Sequence, residues 1–448
     1  MRERLHHLRR WIGLDRAVFF TAGARFWNLG SGLLTLALVG TKLTEETQGF
    51  YYTFNSVMAM QIFLELGLSQ SLLQFASHEF ARLSFGEGGS LQGDAQAAGR
   101  LRTLGKLALR WYGLLALLLV VLIGVGGHFF LAAKNSAGIA WAWPWWLFCG
   151  VAALNLWLTP VWFLLEGCNQ VASVSRYRLV VGIAASLASW TVLWLGGGLF
   201  ACVAYSGTLL AGSMLYLWRC WPGFFRDVWQ SAATSARGWL REIWPFQWRI
   251  AVSWGCGYFT FSILTPLMFQ LHGSVLAGRM GMTWQAINGV ILLATAWTQT
   301  KAPLYGILIN QRKYVELDRI FRKATVQATL IALAAAVVLV GVVAVLQMTH
   351  PLGRRFLELP AVALFCLSAI LIQFTGSMAV YLRAHKQEPF LIVSIVSAVA
   401  TTAGVAVLGW RWGGVGAAWG HLLASALTGP LLGIYIFLRK RAEWHRAT

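Results

Sequence analysis

Apolar stretches of roughly 20 residues recur about twelve times along this chain, and the connections between them alternate between basic and nearly uncharged. A helix needs ~20 residues to cross the ~30 Å hydrocarbon core of a bilayer, because each residue adds ~1.5 Å. The 448 residues are therefore enough for about twelve membrane-spanning helices. The predicted spans are 17–41, 46–70, 108–132, 143–166, 178–196, 199–218, 245–271, 280–305, 324–347, 360–382, 389–409 and 413–438.

The basic residues predict the orientation of these spans. Lys and Arg accumulate in cytoplasmic connections close to span ends. Most of the 36 Lys and Arg fall on the side that holds the N-terminus, the 71–107 stretch and the C-terminal tail, so both termini are expected in the cytoplasm. The formal net charge of +20 does not indicate nucleic-acid binding, because these residues sit at span ends, where anionic membrane lipids are the expected partners.

Short motifs repeat between the two halves of the chain in the same order and at nearly the same offset. The segment after the fourth span, 165–170 (LEGCNQ), corresponds to 382–387 (LRAHKQ) after the tenth span. Between spans five and six, 197–202 (GGLFAC) is answered by 413–418 (GGVGAA). An internal repeat of this kind is typical of transporters built from two related bundles.

The repeat predicts an all-α polytopic membrane protein with about twelve transmembrane helices in two pseudo-symmetric six-helix bundles. The predicted boundaries are 1–218 for the N-terminal lobe, 219–244 for a cytoplasmic inter-lobe linker and 245–448 for the C-terminal lobe. Since each half begins in the cytoplasm, the bundles are parallel and can rock around a central cavity, which is the alternating-access design.

Three segments carry a resemblance to a known family. They are 40–52 (GTKLTEETQGFYY) at the first hairpin, 64–68 (LELGL) late in the second span, and 297–303 (WTQTKAP) at the end of the eighth. These segments are similar to those of the polysaccharide and oligosaccharide-lipid flippases, which are Wzx-like members of the multidrug/oligosaccharidyl-lipid/polysaccharide (MOP) exporter superfamily with a MATE-like fold. Twelve spans resemble the polysaccharide branch more than the fourteen-span peptidoglycan-precursor branch.

The resemblance implies a function. Such a protein translocates a polyprenyl-pyrophosphate-linked oligosaccharide from the cytoplasmic to the outer leaflet of the bacterial cytoplasmic (inner) membrane, for O-antigen, capsule or exopolysaccharide biosynthesis. It implies the polysaccharide polymerase machinery as a further partner. No cofactor is implied, and coupling to protons or sodium stays open.

Arg25 and Glu65 are the sharpest site predictions, because a charge at the bilayer centre costs ~2.5–3.5 kcal/mol on insertion scales and tends to face water or a partner. Arg25 lies inside the first span, ~12 Å from its cytoplasmic edge. Its guanidinium is predicted to bind the pyrophosphate in a bidentate fork. The alternatives are a structural salt bridge with Glu65, at similar depth in the same hairpin, or snorkelling. Glu65 is either that lock or a site of ion coupling.

The other substrate-binding candidates are polar or aromatic residues of the predicted spans. Lys301 lines the inner mouth or snorkels to the interface, and Arg249 is either a ligand or an interfacial anchor. Asn28 and Gln285 either bind sugar hydroxyls or join helices, and Trp254 either stacks on a sugar ring or packs.

Glu166 and Arg383 are repeat equivalents of opposite charge at inner span ends. They are predicted to form a cytoplasmic gate, with ordinary solvated span ends as the alternative. No catalytic or metal-binding residue is predicted.

Two other functions remain open. A drug or organic-cation antiporter of the same superfamily would share the fold, but its cavity should carry acidic groups, whereas Arg25 and Lys301 stand inside spans against Glu65. A polytopic glycosyl or acyl transferase is the other. The enzyme reading is disfavoured because the chain has no GxxxxGK[ST], HExxH or GxSxG motif and its outer connections are short.

Overall fold

The computed structural model describes residues 16–134, 138–230, 251–385 and 387–446. Helices dominate these ranges, as predicted for an all-α polytopic membrane protein. The helices of the first half are α1 (Arg16–Lys42), α2 (Glu45–Met58), α3 (Leu68–Phe80), α4 (Ala95–Ala132), α5 (Ala142–Gly167), α6 (Val171–Trp194), α7 (Phe200–Cys220) and α8 (Pro222–Gln230). A helical turn, Ile62–Glu65, precedes α3.

The second half continues in the same way. Its helices are α9 (251–261), α10 (Leu264–His272), α11 (Ser274–Gln299), α12 (Ala302–Asn310), α13 (Tyr314–Thr349), α14 (Leu359–Ala384), α15 (Leu391–Ala426) and α16 (Ile434–Arg446). A 3₁₀ turn, Pro351–Arg355, precedes α14, and a π-helical segment, Leu427–Gly433, joins α15 to α16.

Within the described ranges, seven helices are long and apolar enough to cross a membrane, or eight if the bent pair Glu45–Glu65 and Leu68–Phe80 counts as one span. One of them, Leu391–Trp444, contains two predicted spans. The chain reverses within it at Gly413, where φ is 58°. The helical segments before and after the reversal pack so closely that a Cβ on Gly420 would lie 2.3 Å from the carbonyl carbon of Gly404. The multi-pass membrane architecture is therefore confirmed.

The described helices extend beyond several predicted spans. The third span was expected to begin at 108, but α4 begins at Ala95, because the Asp94 carboxylate accepts from the backbone N–H groups of Gln96 (3.4 Å) and Ala97 (3.1 Å). Before it, β1 (Leu83–Phe85) and β2 (Leu91–Gly93) form an antiparallel hairpin in which Leu83 faces Gly93. This hairpin was not predicted.

The chain forms two compact units. The first comprises the described residues of 1–38, 60–129 and 140–251, and the second those of 39–59, 130–139 and 252–448. The second unit thus takes in the tip of the first hairpin, 39–59. The lobe boundaries at 218 and 245 remain predictions. Of the predicted linker, the start is helical as α8, and 231–244 lies outside the described residues.

Packing in the first unit fixes α8 and the β-hairpin together. The ring of Phe85 lies edge-on to Trp221 at 4.9 Å, and the Asp227 carboxylate accepts from the backbone N–H of Leu91 at 2.8 Å. The same carboxylate lies 3.6 Å from Nη2 of Arg102 on α4. The beginning of the predicted linker is therefore held against the β-hairpin by an aromatic contact and against the beginning of α4 by a charged one.

Candidate functional site

Arg25 and Asn28 both lie on α1. The side chain of Arg25 is outside the described part of the chain, and Asn28 is exposed. On a neighbouring face of α1, Trp27 donates from Nε1 to Ser186 Oγ of α6 at 3.3 Å. From α6, Trp190 donates to Thr35 Oγ1 at 2.8 Å. These bonds set the rotation of α1 about its axis.

Glu65 lies at a break in the second predicted span. Leu66 and Gly67 both have left-handed backbone angles, with φ of 51° and 69°, and the helices on either side are bent by 48°. Glycine adopts this conformation without the steric cost that a Cβ brings, which explains the LELGL motif. The half-buried Glu65 carboxylate accepts a hydrogen bond from the hydroxyl of buried Tyr112 at 3.2 Å.

Sequence reasoning missed Tyr112 as the partner of Glu65. It lies on α4, which no short-range pattern connects to the second span. The bond orients the carboxylate and is compatible with either predicted role of Glu65, the lock with Arg25 or ion coupling, so both remain predictions.

The two predicted gate residues each form an ion pair within their own unit. Oε1 of Glu166 lies 2.6 Å from Nη1 of Arg178, across the turn from α5 to α6. Nε of Arg383 lies 2.9 Å from Oε1 of Glu388, just after α14. In this conformation both charges are compensated locally, and the gate between Glu166 and Arg383 stays a prediction.

The candidates in the second unit lie on different elements. Trp254 is half-buried on α9, Gln285 is half-buried on α11, and Lys301 is half-buried at the break between α11 and α12. No side-chain hydrogen bond joins these three within the described ranges. Arg249 lies outside the described residues.

A polar and glycine-rich contact that the sequence did not reveal holds the tip of the first hairpin in the second unit. We call it the hairpin clamp, formed by Glu45, Gln48, Gly49, Arg279 and Arg355. Buried Gln48 donates from Nε2 to the carbonyl of Gly278 at 2.9 Å, and Arg279 pairs with Glu45 at 3.0 Å. Arg355 donates from Nη2 to the carbonyl of Leu43 at 2.8 Å and from Nη1 to Gln48 Oε1 at 3.4 Å.

Gly49 lets α2 and α11 approach to backbone contact in the clamp. A Cβ at this position would lie 1.9 Å from the carbonyl oxygen of Ser274. The available signal was the GF pair of the first hairpin motif, where Gly49 precedes Phe50. Such a contact gives helices in a membrane the close packing that substitutes for a hydrophobic driving force between them.

The residues described offer no cluster of three or more His, Cys, Asp or Glu side chains that would hold a metal ion.

Comparison with known proteins places the fold. No protein family model and no curated protein matches the sequence. Among solved structures, an inward-facing multidrug resistance MATE family transporter of the MOP superfamily has a TM-score of 0.69 at 15% identity, over 95% of this chain and 96% of that one. The lipid II flippase MurJ, in an inward closed conformation, has a TM-score of 0.65 at 12% identity, over 94% of this chain and 87% of that one.

A eukaryotic MATE transporter, AtDTX14, has a TM-score of 0.55 at 11% identity, and the match covers 96% of both chains. All three matches extend over nearly the whole of this chain, and the similarity lies in the backbone rather than in the sequence. The chain therefore has the all-α polytopic membrane fold that is shared by the MATE transporters and the MurJ flippase.

Proposed function

We propose that this protein flips a polyprenyl-pyrophosphate-linked oligosaccharide across the bacterial cytoplasmic membrane by alternating access, for surface polysaccharide biosynthesis. The observation that carries the proposal is the sign of the charges inside the spans. Arg25, Arg249 and Lys301 lie inside predicted spans, with Arg110 and Arg178 at the beginnings of two others, and the six predicted spans of the second half contain no Asp or Glu. An anionic headgroup is the complementary cargo for such a surface.

The carboxylates of the first half offset this balance only in part. Glu166 is paired with Arg178, and Glu46 lies at the very beginning of its span, so Glu65, which accepts from the hydroxyl of Tyr112, is the one carboxylate deep inside a predicted span. A cationic drug would need a carboxylate that is available for it, whereas a pyrophosphate needs a guanidinium or ammonium group.

In the proposed mechanism, the guanidinium of Arg25 binds the pyrophosphate oxygens while Asn28, Gln285 and Trp254 bind the sugars. The polyprenyl tail stays in the hydrocarbon, because moving it through water would cost ~0.8 kcal/mol for each exposed CH₂ group. For the outer ends of α2 and α11 to separate, the hairpin clamp must open. Glu65 is the proposed coupling site, since its carboxylate sits at a helix break beside a hydroxyl donor.

The fold supports a transporter of this kind, because one of the proteins with the same fold is named as a lipid II flippase. It equally supports a second candidate, a drug or organic-cation antiporter. The observation that favours this second function is the TM-score of 0.69 with a multidrug MATE transporter, together with the carboxylate of Glu65. The two functions differ in the sign of the cargo.

The test is transbilayer movement of a fluorescent polyprenyl-pyrophosphate oligosaccharide in proteoliposomes, with and without a pH or sodium gradient. We expect movement by the wild type and a loss of about tenfold or more in Arg25→Ala, which removes a charge-assisted contact. Arg176→Ala, at an exposed arginine of α6, is the control and should leave movement unchanged. Absence of movement together with gradient-driven loss of an organic cation would establish the antiporter instead.

A further inference from the structure

A half-buried carboxylate of α13 joins the C-terminal helix α16 to α13 within the second unit. Asp318 of α13 accepts from the hydroxyl of Tyr381 at 3.0 Å and from Nε of Arg441 at 3.0 Å, and Nη2 of Arg441 donates to it as well. The ring of Tyr381 also packs against the ring of Phe437 on α16, with the two centroids 5.2 Å apart. Arg441 is therefore held in a fixed position beside α13.

This arrangement leaves a basic cleft of about 630 Å³ between α13 and α16. Its cationic lining is formed by Arg319, Arg322, Lys323 and Arg441, and Asp318 is its one carboxylate. Since Asp318 already accepts from Arg441, the remaining cations are not neutralised by it. The cleft is thus strongly electropositive, and it lies where the ninth predicted span begins.

The same face of α13 becomes apolar immediately beyond the cations. Val326 lines the cleft, and Leu330, Leu333 and Val337 follow it at intervals of three or four residues, so all lie on one side of the helix. The exposed fractions of these side chains are 53%, 58%, 48% and 63%. A second, smaller cleft of about 230 Å³ shares Val326 with the first and is lined by the apolar rings of Phe321, Phe374 and Phe437.

We propose that this cleft is a binding site for an anionic phospholipid. The lipid belongs to the leaflet that faces the basic connections between the spans, which is the predicted cytoplasmic side. Arg319, Arg322 and Lys323 bind the headgroup phosphate, and an acyl chain lies along the ridge from Val326 to Val337. A soluble phosphate would use the cations and not the ridge, whereas a zwitterionic lipid would use the ridge and gain little from the cations. An anionic lipid matches both parts. None of the residues proposed to bind the transport cargo lines this cleft.

A bound anionic lipid would also give a role to the contact between α16 and α13. Arg441 takes part in this contact and in the cleft, since its guanidinium donates to Asp318 and also lines the cleft. A phosphate at this point meets cations from α13 and α16 together, and it should therefore stabilise the packing of the two helices.

The experiment is native mass spectrometry of the purified full-length protein, titrated with dioleoyl phosphatidylglycerol or dioleoyl phosphatidylcholine. We expect one phosphatidylglycerol to be retained more tightly than phosphatidylcholine. A cation near a membrane phosphate contributes roughly fivefold to affinity, so Arg319→Gln with Arg322→Gln should weaken phosphatidylglycerol by about 30-fold and Lys323→Gln alone by about fivefold. Leu330→Asn should weaken both lipids.

The matched control removes the same charge elsewhere. Arg176→Gln with Arg219→Gln, at exposed arginines of the first unit, should leave the retained phosphatidylglycerol unchanged. Equal weakening by this control pair, or equal retention of the two lipids by the wild type, would overturn the proposal. Displacement of the lipid by inorganic phosphate at equal concentration would also overturn it, because it would show an anion site without a lipid chain.

Discussion

Gly49→Ala is expected to force α2 away from α11. The added Cβ would stand 1.9 Å from the carbonyl oxygen of Ser274 and 2.6 Å from its carbonyl carbon. Both atoms belong to the backbone, so no rotamer change relieves the overlap. An ordinary contact of ~3.5 Å requires the two helices to separate locally by about 1.5 Å.

The magnitude follows from three contributions. Overpacking of a tight contact costs ~1–3 kcal/mol. The same separation stretches the hydrogen bond from Gln48 to the carbonyl of Gly278, now 2.9 Å, which contributes ~1 kcal/mol. Alanine gains ~1 kcal/mol over glycine inside a helix. The free energy of unfolding should therefore fall by about 1–3 kcal/mol.

The assay is equilibrium unfolding in mixed micelles of a mild detergent and increasing sodium dodecyl sulfate, followed by far-ultraviolet circular dichroism. The matched control is Gly289→Ala on α11, where a Cβ meets nothing within 4 Å. This control should be neutral or stabilising by up to ~1 kcal/mol. Equal unfolding free energies for Gly49→Ala and Gly289→Ala would refute the close contact.

Three further changes test the charged and capping contacts. Tyr112→Phe should lower the free energy of unfolding by ~1–2 kcal/mol, because it leaves the carboxylate of Glu65 without its hydroxyl donor. A double-mutant cycle with Glu65→Ala, which removes the acceptor, should show coupling, and strict additivity would contradict the bond. Asp94→Ala should cost ~1 kcal/mol by removing the cap of α4, measured by the same unfolding assay, with the Asn variant keeping most of it. Arg441→Gln should speed limited proteolysis of the C-terminal helix several-fold by breaking the pair with Asp318, and an unchanged cleavage rate would contradict that anchor.

Sequence alone was enough for the all-α multi-pass architecture because the bilayer imposes the length and composition of a membrane-spanning helix. A helix must satisfy its own backbone groups in hydrocarbon, so an apolar stretch of the right length leaves few alternatives. The chain reversal at Gly413 was also foreseeable, since a glycine pair separates the last two apolar stretches. Outside the hydrocarbon these constraints end. For that reason the start of α4 at Ala95 and the hairpin of 83–93 were missed.

The packing of the hairpin tip could not be predicted for a different reason. Gln48, Glu45 and Arg279 are polar residues near span ends, where solvation is the ordinary expectation. The burial of Gln48 and the pairing of Glu45 with Arg279 depend on partners that are far away in the chain, such as the carbonyl of Gly278. Hydropathy reports the environment that a side chain prefers, and it carries no information about which distant donor will satisfy it.

Among the site residues, too, local sequence predicted the position of a side chain but not its partner. Depth in the membrane could be calculated from helical rise, which is why Arg25 and Glu65 were singled out together. The partner of Glu65 could not be calculated, because Tyr112 reaches it from another helix. Similarly, the sequence offered Glu166 and Arg383 as partners through the repeat, whereas each forms an ion pair with a residue of its own unit.

In the predicted repeat, a glycine turn recurs while the charges differ between the halves. Gly198, with φ of 56°, and Gly413, with φ of 58°, turn the chain within one residue of each other in the alignment that pairs 197–202 with 413–418. Around this framework, the only carboxylate deep inside a predicted span is Glu65 in the first half. The cleft of Arg319, Arg322, Lys323 and Arg441 is formed by helices of the second unit, to which Glu65 does not belong. If Glu65 is the coupling site, as we propose, exchange of Glu65 for Gln should abolish any gradient dependence of transport while leaving phosphatidylglycerol retention intact, because the two sites share no residue.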